Sequence, residues 1–297
     1  MQARLISLIA RTLSLLPLSF NQTIGAAIGW LAWVTNSRAR LVTEFNLQHC
    51  FPNMQDTERQ ALGLASLQHT GKQLTECAWI WHRQPRNTLT LVGEVRGEQL
   101  LQDALDSERG IIIVSPHIGN WELCSLVLSQ QTPFTYFYRS PRNKSLEPLM
   151  LKWRLHVGGS PATLDSGGIR KGLRLINQGG VVGILPDQEP DRDNGVFAPF
   201  FDQPALTMTL LPRLAARSRA HVIMMVVERL PKARGWRIHY LPTDPAIADP
   251  DLSVATSALN KDVERCIAIC PEQFLWNYKR FNVLPDGSRR RYATIDA

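Results

Sequence analysis

His117 and Glu122 are the residues of this 297-residue chain whose types and spacing point most directly to chemistry. They lie in Ser115-Pro116-His117-Ile118-Gly119-Asn120-Trp121-Glu122, directly after the β-branched run Ile111-Ile112-Ile113-Val114. A neutral imidazole accepts a proton near physiological pH, and a carboxylate beside it fixes the tautomer and stabilises the imidazolium. Along one continuous helix, side chains five positions apart diverge, but a glycine turn between strand and helix lets them meet. The expected chemistry is general-base catalysis: His117 takes the proton of an attacking hydroxyl and Glu122 orients it. The spacing alone is weak evidence, since seven His and 26 acidic residues give roughly 0.6 such pairs by chance. His239 to Asp244 is a second match. It runs into Pro242 and Pro245 with no glycine turn and no helix to follow, so context selects His117.

The elements that must position this pair are legible as alternating helices and short apolar strands. A capping box at Thr57-x-x-Gln60 opens a proline-free helix to about Trp81. Helical character follows at 97–108, 121–129, 146–156, 169–177 and 253–269. Strands are expected at 111–114, 134–138, 181–185, 221–227 and 236–241. Such alternation predicts an α/β fold with a mixed sheet flanked by helices. Ligands in open α/β sheets favour the carboxyl ends of the strands, where His117 is delivered.

Composition narrows the function classes. The chain is 44% hydrophobic and 20% charged, which excludes intrinsic disorder. Five scattered Cys with no Cys-x-x-Cys pair exclude a disulfide framework and a zinc site, and favour a reducing compartment. A net charge of +7 calls for an anionic partner. No helix-turn-helix, finger or aromatic platform accompanies the charge, so no nucleic acid is expected. Gly158-Gly159-Ser160-Pro161-Ala162 falls short of a serine-hydrolase elbow, lacking the final Gly. From Thr12 to Ser37 there is no charged residue, and Trp30, Trp33 and arginines mark one end. Residues 1–40 are therefore expected to be a membrane-associated segment, spanning or interfacial, ahead of a catalytic domain at 41–297.

The segment from Ser115 to Glu122 resembles the signature of the lipid A biosynthesis late acyltransferases, in which the acidic position is Asp or Glu. Asn46-Leu47-Gln48-His49-Cys50-Phe51-Pro52, Tyr138-Arg139 with Asn143, Leu185-Pro186-Asp187-Gln188, Val196 to Phe201 with Pro204-Ala205, and Pro271 to Trp276 ending in Lys279-Arg280-Phe281 resemble further family blocks in order. Ser140 and Lys144 depart from the pattern. The resemblance implies transfer of a fatty acyl chain from acyl-carrier protein to a hydroxyl of a lipid A precursor. It implies no enzyme-bound cofactor, the donor carrying its own phosphopantetheine thioester, and a place at the bacterial inner membrane with the catalytic domain on the cytoplasmic face. A glycerolipid acyltransferase using the same pair and a catalytically inert basic membrane-binding protein are the competing readings.

Substrate contacts are expected from several residues. Backbone N–H groups at the start of the Asn120 helix could await the oxyanion. Arg139 could do so too, or hold an acceptor phosphate. Arg139 opens a basic run with Arg142, Lys144, Lys152 and Arg154, whose bland alternative is a solvated face. Arg170-Lys171 opens a helix after Ser166-Gly167-Gly168, where cations oppose the helix dipole unless an anion is present. Asp187 and Gln188 are expected to shape the site at the same sheet edge, and Arg289-Arg290-Arg291 to meet an acidic protein or headgroups.

Overall fold

The run Ile111–Val114 is buried on both faces, as unbroken β-branched sequence in a central parallel strand must be. The computed structural model describes residues 2–141, 143–290 and 292, so Arg142 and Arg291 lie outside the described residues. Its strands are β1 (Val92–Arg96), β2 (Ile111–Val114), β3 (Phe134–Tyr138), β4 (Ser160–Thr163), β5 (Val181–Ile184), β6 (Gly195–Phe200), β7 (Gln203–Met208), β8 (His221–Arg229) and β9 (Trp236–Pro242). Its α-helices are α1 (Gln2–Leu15), α2 (Leu18–Val34), α3 (Arg38–Cys50), α4 (Asp56–His82), α5 (Pro85–Leu89), α6 (Glu98–Asp106), α7 (Leu123–Ser129), α8 (Glu147–Val157), α9 (Ser166–Asn177), α10 (Leu210–Ser218) and α11 (Leu252–Ile267).

Seven strands form one sheet in the order β1-β9-β8-β2-β5-β3-β4, while β6 and β7 make a separate hairpin. β2 runs parallel to β5 and β8, and β3 runs parallel to β4 and β5. The β8–β9 pair is antiparallel, so the sheet is mixed, as expected. Alternation divides the core between its two faces: Ile111 and Ile113 join one apolar cluster, Ile112 and Val114 the other. Because β2 and β5 share a direction, the segments leaving Val114 and Ile184 emerge at the same edge. His117 and Asp187 are thereby neighbours although 70 residues separate them.

The uncharged N-terminal stretch folds as α1 and α2, broken at Pro17. No helix among the described residues is long and apolar enough to cross a membrane, so the expected spanning segment finds no support. Instead α2 packs closely on α4. A Cβ at Gly71 would sit 1.9 Å from the carbonyl oxygen of Gly25, an approach that only glycine permits. Asn21 and Thr75 exchange side-chain-to-backbone hydrogen bonds across this crossing. Sequence reading missed β1, β4, β6, β7 and α10. β1 and β4 are the two edge strands, with mixed burial, and β4, β6 and β7 contain proline.

Candidate active site

After β2 the chain turns through Gly119, whose φ of +60° favours glycine. A side chain there would also strike the Val227 carbonyl, 1.8 Å from the Cβ position. The turn is anchored on both sides: Gly119 N–H donates to the Gln273 carbonyl and Asn120 N–H to that of Val227. These two N–H groups are thus consumed by the fold, which corrects the expectation that they await an oxyanion. The Asn120 side chain is fully buried and donates to Glu76 Oε2 at 2.7 Å, so it braces the turn rather than meeting substrate.

His117 is paired with Asp187, not with Glu122. Its Nδ1 lies 2.8 Å from Asp187 Oδ1, and its backbone N–H donates to Asp187 Oδ2 at 3.1 Å. Burial pulls the Asp187 pKa upward, but the charge and hydrogen bonds of His117 outweigh it and hold the carboxyl below the usual range. An ionised Asp187 accepts a proton-bearing Nδ1, leaving Nε2 as the proton acceptor. The Gln188 amide nitrogen is 3.3 Å from that Nε2. Trp121 stacks edge-on against the imidazole with ring centroids 4.9 Å apart.

Glu122 sits at the start of α7 and turns toward α4 and α8. It accepts from Arg154 at 2.5 and 3.1 Å and from Trp81 Nε1 at 3.2 Å. The physical reason is its place on the first helical turn, past a bend already pinned by Val227 and Gln273. Burial lowers the Arg154 pKa, yet the charge and hydrogen bonds of Glu122 more than offset this and raise it. Among the described members of the basic run Arg154 alone is partly buried, which charge counting could not distinguish. The competing match dissolves: His239 Nε2 pairs with Glu228 at 2.8 Å, while Asp244 caps a short helical turn.

His117, Glu122, Arg139, Arg154 and Gln188 all line one cavity of about 550 Å³. Its apolar lining comes from both faces of the sheet, one group of residues, or arm, on each. Ile113, Cys124, Phe134 and Tyr136 belong to one core cluster; Phe137, Ile184, Leu173 and Leu214 belong to or pack against the other. Arg139 stands at an exposed position and donates to Asp191 at 3.0 Å. Arg170 is not among the cavity-lining residues. Its helix begins at Ser166, where Asp165 caps the N–H groups of Gly167 and Gly168, so the first turn is already satisfied and Arg170 lies beyond it. Among the described residues no cluster of His, Cys, Asp or Glu could hold a metal ion. All five cysteines are buried and free.

Pairing of Asp187 with His117 needed a contact 70 residues long, and only the strand order supplies it. Glu76 and Arg229, described below, were also missed; neither lies in a block that the sequence singled out.

The profile of the family described as bacterial lipid A biosynthesis acyltransferase matches residues 3–283. The chain is 30% identical to the lipid A biosynthesis lauroyltransferase of Escherichia coli strain K12 over 93% of its length and 90% of that protein. Identity is 27% to the lipid A biosynthesis palmitoleoyltransferase of the same organism, over 91% of this chain and 87% of that one. It is 22% to the lipid A biosynthesis myristoyltransferase, over 96% and 88%.

Proposed function

Since the chain belongs to the bacterial lipid A biosynthesis acyltransferase family, we propose that His117, oriented by Asp187, catalyses acyl transfer from acyl-carrier protein to a hydroxyl of a lipid A precursor. The observation that carries this reading is the hydrogen bond from Asp187 to His117, whose side chain lines the cavity. The acceptor hydroxyl displaces the Gln188 amide from Nε2 and gives its proton there as its oxygen attacks the thioester carbonyl. Asp187 holds Nδ1–H and stabilises the imidazolium that forms. As the tetrahedral intermediate collapses, the C–O ester bond is kept and the C–S bond breaks. The imidazolium returns the proton to the departing pantetheine thiolate. Arg154, held in the cavity wall by Glu122, supplies positive charge for the developing oxyanion. In this assignment Glu122 acts on Arg154, and no cofactor is required.

The arm containing Ile113, Phe134 and Tyr136 takes the transferred acyl chain. Phe134 stands two residues earlier along β3 than Tyr136, and its ring packs over Gly183, the β5 partner of Tyr136. A Cβ at Gly183 would come within 2.5 Å of the Phe134 ring, so Gly183→Ala pushes that ring into the arm. The test is a transfer assay with acyl-carrier proteins of several chain lengths and a tetra-acylated, Kdo-bearing precursor, read by mass spectrometry. A gain of one acyl chain is expected, with the preferred donor shorter in Gly183→Ala. No gain with any donor and acceptor overturns the function; an unchanged preference overturns the arm assignment.

Attachment to the inner membrane is read as interfacial. Leu5, Leu8 and Ile9 of α1 and Phe20, Ile24 and Leu31 of α2 are exposed, with Arg4 and Arg11 beside them. Apolar faces bordered by arginine suit the headgroup boundary of an anionic leaflet. Leu8→Glu with Phe20→Glu should abolish flotation with vesicles containing anionic lipid; retained flotation would place the contact elsewhere.

A further inference from the structure

The second arm of the cavity is lined from α9 and α10. Ile169 and Leu173 of α9 and Leu210 and Leu214 of α10 form its apolar floor. Arg213 and Arg217 line it from α10, four positions apart and hence on one helix face. Across from them Arg170 and Arg174 follow Ile169 and Leu173 on α9, one step around the helix toward solvent. All four arginines are exposed, and none forms an ion pair or a side-chain hydrogen bond.

Apart from Asp193, the remaining acids and arginines of the cavity are engaged. Arg154 holds Glu122, Arg139 holds Asp191, and Glu189 accepts the Val283 N–H. Among the described cavity-lining acids, Asp193 alone is left to face these cations. A groove with an apolar floor and guanidinium rims matches an amphiphile bearing a phosphate, since a guanidinium presents a planar fork of donors to phosphate oxygens.

Resting on the acyl-transfer reading, we propose that the α9–α10 arm is a phosphate subsite, with Arg213 and Arg217 as its binding pair. The phosphate belongs either to the acceptor glycolipid or to the pantetheine arm of the donor.

The direct test needs no turnover. Dodecyl phosphate and dodecanol are titrated by calorimetry into the full chain and into the double variant Arg213→Gln, Arg217→Gln. Both side chains are exposed, so the fold is left intact. Dodecyl phosphate should bind the variant about tenfold or more weakly, as loss of charge-assisted bonds implies, with dodecanol unaffected. Equal binding of dodecyl phosphate to both proteins overturns the subsite. Steady-state kinetics then identify the source. A raised KM for a phosphorylated acceptor but not its dephosphorylated form assigns the acceptor phosphate. A raised KM for acyl-phosphopantetheine but not acyl-pantetheine assigns the donor. A rise seen only with the carrier-borne donor, or equally with and without phosphate, overturns the proposal. If the wild type transfers to no acceptor while its binding of dodecyl phosphate depends on the pair, the subsite stands and the acyl-transfer reading falls.

Discussion

Asp187→Asn should lower kcat by about 10²–10⁴, with little change in KM. A carboxylate beside Nδ1 accepts its proton and keeps Nε2 free as the base, whereas an amide can donate to Nδ1 and leave the proton on Nε2, where it blocks attack. The geometry favours the upper part of that range. Asp187 is fully enclosed, and both its oxygens are committed to His117, one to Nδ1 and one to the backbone N–H. His117→Ala should match this loss, and the double variant should be no worse than either single, as expected of residues acting as one unit. Glu122→Gln separates the roles. It weakens the hold on Arg154 but leaves the His117–Asp187 pair untouched, so its loss should multiply with that of Asp187→Asn when the two are combined. A double variant no worse than Asp187→Asn alone would return the orienting role to Glu122.

Arg229→Met destabilises the protein by about 3–5 kcal/mol, the usual cost of stranding one buried charge. Arg229 donates to both oxygens of Glu76, at 2.6 and 2.7 Å, and the Glu76 side chain is wholly buried. Glu76 also accepts from Gln22 of α2 and from Asn120 in the catalytic turn, while Arg229 reaches the Gly119 carbonyl and His69. Burial and the Arg229 charge push the His69 pKa down to about 2, so its neutral ring accepts the guanidinium N–H. Removing Arg229 leaves the carboxylate with two neutral donors in a site without water access. Glu76→Met added to Arg229→Met should recover much of the loss, because an apolar pair of similar volume avoids the stranded charge. Urea unfolding of the three variants decides the matter; a loss under 1 kcal/mol in the single variant would mean that the pair is dispensable.

The layers of this fold were legible where hydrophobic pattern speaks plainly. Ile111–Val114, Phe134–Tyr138 and Val181–Ile184 are continuous apolar runs bounded by turn residues, and each is a buried strand. β4 was not legible, since Ser160-Pro161-Ala162-Thr163 has neither β-branched density nor alternation and is a strand through its pairing with β3. At the site, His117 was identified by the strand and glycine turn around it. Its hydrogen-bond partner was not legible: Glu122 is the acid nearest in sequence, and only the parallel β2–β5 pairing brings Asp187 near. The fate of Arg154 was equally hidden: its run looks uniformly basic, and burial beside Glu122 is a tertiary fact.

Cys124, on the cavity wall, constrains the kinetic order of the reaction. Its thiol donates to Ser115 Oγ, and burial pushes its pKa up to about 12, with the Ser115 hydrogen bond acting in the opposite direction. A protonated thiol is a poor nucleophile, so burial argues against a covalent cysteine ester at this position. In the proposed direct transfer, donor and acceptor must be held together. Double-reciprocal plots at several fixed acceptor levels should then intersect, whereas parallel lines would mark a covalent relay. The two groups of apolar lining residues would then seat donor and acceptor at once, one from each face of the sheet.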